Sequence, residues 1–69
     1  MDYELYDLES ANLVAGPLTE ERALALVRQA LEEDGPEVVE LWALGRVDHT
    51  GTPVIGRALI DRALKATAV

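Results

Sequence analysis

Residues 38–47 read Val-Val-Glu-Leu-Trp-Ala-Leu-Gly-Arg-Val, and a strand made of them is apolar on both faces. Val39, Leu41, Ala43 and Val47 share one parity; Val38, Trp42 and Leu44 share the other. Successive side chains of a strand point to opposite sides of the sheet. A sheet covered by helix on one side needs only one apolar face. The second face of this segment therefore needs its own cover, from another helix or from another molecule. At 69 residues the chain has room for one small domain, 1–69. A domain of that size is marginally stable alone and commonly leans on disulfides, a metal or oligomerisation. The chain has no cysteine, which removes disulfides and thiolate metal sites and fits a reducing cytoplasm. Oligomerisation is the support that remains.

The rest of the chain supplies the layers around that segment. Tyr3 to Glu9 alternates as a strand, with Tyr3 and Leu5 on one side and Tyr6 and Leu8 on the other. Ser10-Ala11-Asn12 has turn chemistry, and Leu13 to Ala15 pairs back as a hairpin that Gly16-Pro17 is expected to end. Thr19 is a good N-cap for a helix running to Asp34, with Glu20 and Glu21 at its positive pole. Ala23, Leu24, Leu26, Val27, Ala30 and Leu31 draw its apolar stripe, and Arg28 and Glu32 stand at i,i+4 on the wet side. Gly35-Pro36 closes the helix. A short helical turn fits over 36–40 before strand three. Asp48-His49-Thr50-Gly51 is a hairpin loop, and Thr52 to Ile55 is a fourth strand that Pro53 places at an edge. From Arg57 a helical period returns at Leu59, Ile60, Ala63 and Leu64. The order is ββαββα. This predicts an α+β domain with a four-stranded, mainly antiparallel sheet, the long helix on one face, and a short C-terminal helix. That last helix is expected to cover part of the second face or to pack on a neighbouring subunit.

Five pieces of this pattern occur together in a group of small, acidic bacterial proteins of unassigned function. They are Tyr3-Glu4-Leu5-Tyr6-Asp7, the Thr19 to Arg28 helix start, Gly35-Pro36-Glu37, Ala43-Leu44-Gly45-Arg46 and the Asp48 to Gly51 turn. Nearly the whole chain resembles that group. The resemblance implies a ββαββ-type domain and carries over no functional residues. Pro17 departs from it, standing where an aromatic residue is expected.

Charge narrows the function classes. The net charge is −7, from 13 acids and 6 bases. Nucleic-acid affinity comes from cations placed on phosphates, so no nucleic-acid partner is expected, and anionic membrane surfaces are disfavoured likewise. No apolar run approaches the length that crosses a bilayer, and Met1 to Glu9 lacks the basic and apolar parts of a signal peptide. Residues 1–45 hold 11 acids and 2 bases, whereas residues 46–69 hold 2 acids and 4 bases. The two halves are expected to neutralise each other, with Arg46, Arg57 or Arg62 meeting the acids that crowd the negative pole of the long helix.

Catalytic chemistry is not expected. His49 is the sole histidine and Ser10 the sole serine; both fit as turn residues, and no nucleophile elbow or phosphate loop accompanies them. No metal or other cofactor is expected, because the carboxylates near Glu32 miss the spacing of a calcium loop. The function expected is a non-enzymatic protein-interaction module, a cytoplasmic homodimer. Its isologous interface is expected to use Val38, Trp42 and Leu44, joined by Tyr6 and Leu8 on the same face. Trp42→Ala is then expected to weaken assembly more than helix content. The alternative is an acidic regulator, antitoxin-like or a nucleic-acid mimic, that binds a basic protein through Glu32, Glu33, Asp34, Glu37 and Glu40.

Overall fold

The hydroxyl of Thr19 accepts a hydrogen bond from the Arg22 amide at 3.2 Å and caps helix α1, Glu20–Glu33, in a computed structural model that describes residues 2–67. At the other end Asp34 and Gly35 both donate to the Ala30 carbonyl, at 2.8 and 3.2 Å. The expected helix is therefore present with both of its end signals in use. Around it the elements run β1 (Tyr3–Asp7), β2 (Asn12–Leu18), α1, α2 (Pro36–Val39), β3 (Trp42–Arg46), β4 (Val54–Ile55) and α3 (Arg57–Thr67). The strands form one antiparallel sheet in the order β2-β1-β3-β4. The fold is α+β, as the pattern of the chain predicts.

Several strand ends differ from expectation: β1 stops at Asp7, and β4 keeps only Val54–Ile55. Strand three begins at Trp42, after the helical turn expected over 36–40, which is present as α2. Proline is preorganised for the first helical position, and Pro36 starts this turn; Glu40 donates back to its carbonyl at 2.9 Å. Strand two does not stop at Gly16-Pro17 but continues to Leu18. Among the described residues β2 stands at the edge of the sheet, beside β1, so proline's missing donor costs no hydrogen bond on the outer side. The strand bends here, with register shifts against β1 between Tyr3 and Tyr6. A Cβ on Gly16 would stand 3.1 Å from the Glu4 Cα and the Tyr3 carbonyl oxygen, so the close approach of the two backbones requires glycine.

The core lies entirely on one side of the sheet. Leu5 of β1 and Leu44 of β3 face Ala23, Leu24, Val27 and Ala30 of α1, Val39 of α2, and Leu59, Ile60 and Ala63 of α3. Leu5, Val27, Val39, Leu44 and Leu59 are fully enclosed; burying each stabilises the fold by about 1.5–3 kcal/mol. Helix α3 thus packs beside α1 and does not cover the second sheet face. Two members of the expected stripes, Leu26 and Leu64, are exposed instead. Arg28 makes no ion pair with Glu32: its Nη1 donates to the Ala63 carbonyl at 3.4 Å and ties α1 to α3. The arginines do not meet the acids at the end of α1 either. Arg62 pairs with Glu20 at 2.9 Å and Arg57 with Glu40 at 3.9 Å.

Candidate functional site: the uncovered sheet face

Register decides what the second face displays. Tyr6 of β1 lies opposite Leu13 of β2 on one side and Ala43 of β3 on the other, and Ala43 lies opposite Ile55 of β4. Leu13, Tyr6, Ala43 and Ile55 therefore form one row across all four strands. The adjacent row, Ala15, Leu5, Leu44 and Val54, faces the helices. Cross-strand neighbours of this kind are the packing unit of a sheet. Among the described residues nothing lies over the outer row: Leu13 is 48% exposed and Ile55 49%. Leu8, just past the end of β1, is 50% exposed.

The face is hollowed rather than flat. Tyr6, Leu8, Ala43, His49, Pro53 and Ile55 line a depression of about 260 Å³. Ala43 forms its floor and is buried between bulkier neighbours. Gly45 deepens it, since a Cβ there would meet nothing nearer than Pro53, at 4.0 Å. Glu4, opposite Gly45, is the one carboxylate at a strand position of this face, and Arg46 at the end of β3 also lines the depression. Tyr6 donates its hydroxyl to Glu4 Oε1. That hydrogen bond, aided by desolvation and by the carboxylate charge, raises the Tyr6 pKa above its ordinary value.

Of the residues expected to form an interface, only Tyr6 and Leu8 lie on this face. Asp7 is opposite Trp42, so Trp42 and Tyr6 point to opposite sides, which corrects the expectation that they share one. Leu44 is buried beneath the helices, Trp42 is half-buried against the same core, and Val38 belongs to α2. Leu13, Ala43 and Ile55 take their place. Their signal is the alternation of β1 carried across its pairing with β2 and β3, a register that no local window records.

The acidic set behaves differently. Glu32, Glu33 and Asp34 end α1, Glu37 lies in α2 and Glu40 caps it; all five are exposed. Gln29 donates to Glu33 at 3.4 Å and Glu40 meets Arg57. His49 sits in the β3–β4 loop with a positive φ of 62°. The loop is held by Thr50, whose amide and hydroxyl both donate to Asp48 Oδ1, at 3.0 and 2.7 Å. These two bonds, the hydroxyl's first, hold the Asp48 carboxyl below its usual pKa. Ser10 accepts from the Asn12 amide at 3.4 Å in the β1–β2 turn. Among the described residues no three His, Asp or Glu side chains gather as a metal site, and no helix is long and apolar enough to cross a membrane. No protein-family model, curated protein or solved structure matches this chain.

Proposed function

We propose that this chain is a non-enzymatic interaction module that self-associates, two copies stacking their uncovered sheet faces about a two-fold axis. The carrying observation is the apolar row Leu13–Tyr6–Ala43–Ile55, left open while every helix lies on the other side. The scarcity of carboxylates on this face permits a second copy as the occupant, against the net repulsion between two chains of like charge. In an isologous contact each group sits near its own symmetry mate, so a chain of net charge −7 can meet itself only where carboxylates are scarce. This face has one at its strand positions, and Tyr6 engages it. Edge-to-edge pairing is the poorer route, because β2 carries Pro17 and β4 is two residues long; such features blunt strand edges.

Size sets the strength. Four strands about 4.8 Å apart and about five residues long cover roughly 300 Å² in projection, which points to the small, reversible class of interface. Light scattering across a dilution series tests the proposal. The expected result is a concentration-dependent rise from 7.5 kDa toward twice that mass, abolished by Leu13→Lys or Ile55→Lys with helix content retained. A single 7.5 kDa species at every concentration would falsify it.

A second reading has its own observation. The last turn of α1 has no basic residue, and Glu32 and Asp34 make no ion pair among the described residues. An acidic regulator would present this end of the helical layer to a basic protein. Such a complex would weaken with salt.

A further inference from the structure

We propose that the cleft between the β3–β4 loop and α3 is a binding site for a small phosphate-bearing anion. Arg46 reaches this hollow from the end of β3 and Arg62 from α3. In a chain of net charge −7, two guanidinium groups facing one hollow run against the overall trend. Tyr3, Thr50, Gly51 and Thr52 complete the polar wall. Among the described residues, the amides of Gly51 and Thr52 and the hydroxyl of Tyr3 make no hydrogen bond, so donors remain for a ligand. Val54 forms part of an apolar floor.

Geometry selects the ligand class. The hollow measures about 160 Å³, well under the roughly 300–1,000 Å³ of sites that enclose drug-sized molecules. It fits an anionic head group and no large attached ring. Guanidinium offers a planar fork of five N–H donors that suits both carboxylate and phosphate. Two arginines from separate elements, plus hydroxyl and amide donors, need more acceptor oxygens than a carboxylate carries. A phosphate group has them.

Two carboxylates stand near and set the affinity. Asp48 accepts both bonds from Thr50, and the same hydroxyl accepts from Arg46 Nη1 at 3.5 Å. Glu20, at the start of α1, takes one Nη of Arg62 at 2.9 Å and leaves its other donors free. Glu20 is thus a built-in competitor for the anion.

The test is an NMR titration of amide shifts with inorganic phosphate, at constant ionic strength against chloride, with acetate as a parallel arm. Saturable shifts are expected at Thr50, Gly51 and Thr52. Arg62→Ala and Arg46→Ala should each weaken binding about tenfold, on the scale of a lost charge-assisted hydrogen bond. Glu20→Gln should tighten it, a gain that general loss of structure cannot mimic. Acetate should bind more weakly. Shifts that never saturate, or that survive both arginine substitutions, overturn the site; acetate binding as tightly as phosphate overturns the ligand class.

Discussion

Trp42 and Ala43 are chain neighbours on opposite sides of a sheet, and their difference decides what each can do. Trp42 rests half-buried against the core on the helix side, whereas Ala43 floors the open hollow between Tyr6 and Ile55. Removing a fully buried tryptophan costs about 3–5 kcal/mol; at a half-buried position the loss should be nearer 2–3 kcal/mol. Trp42→Ala is therefore expected to lower stability by that amount in urea unfolding, and to leave the association constant of the folded protein unchanged. This reverses the expectation drawn from the two apolar faces of 38–47, in which Trp42 anchors the assembly. A selective loss of dimer with unaltered urea midpoint would instead make Trp42 the anchor. Tyr6, by contrast, joins an apolar ring to a hydroxyl that engages the one acid of its face.

At the scale of elements, helix signals were legible because each is local. The Thr19 cap, the Ala23–Leu24–Val27–Ala30 stripe and Gly35 lie within a few residues of what they control. The Asp48–Gly51 turn was legible for the same reason. The strand boundaries and the covered face were less so, because they depend on distant neighbours. Residues 38–41 are apolar enough on both parities for a buried strand, yet Pro36 and the Gly35 turn make residues 36–39 helical. Which parity of β3 the helices cover depends on where α1 and α3 land, and no short window records that. Gly56 shows how tightly this junction is built. It joins β4 to α3, donates to the Trp42 carbonyl at 3.0 Å and has φ 57°. A Cβ there would stand 3.1 Å from the Glu40 carbonyl oxygen. Gly51 has φ 73° with no atom near its Cβ position. Left-handed backbone costs a residue with a Cβ about 1–2 kcal/mol. Gly51→Ala should lose about that much in thermal or urea unfolding, and Gly56→Ala about 1 kcal/mol more, on the scale of mild overpacking. Equal losses would mean that the α2–α3 contact yields freely.

For the whole molecule, charge and shape set a condition on any partner. The Cα envelope is 30 × 28 × 17 Å, so two copies stacked on their sheet faces place their centres about one thin dimension apart. Treated as point charges of −7 in water at that distance, they repel by roughly 12 kcal/mol without salt. Screening with a Debye length of about 10 Å at 0.1 M reduces this to about 2 kcal/mol, and at 1 M, where the length is about 3 Å, almost nothing remains. Apolar burial does not weaken over the same range. Raising salt from about 0.1 to 1 M should therefore tighten self-association by roughly ten- to a hundredfold, read as the dissociation constant from sedimentation equilibrium. A complex made through Glu32, Glu33, Asp34, Glu37 and Glu40 with a basic protein must respond in the opposite sense, because there the screened term is the attraction. The sign of the salt dependence thus separates the two readings without knowledge of the partner. Self-association that loosens as salt rises would show that the copies meet through opposite charges and not through the Leu13–Tyr6–Ala43–Ile55 row.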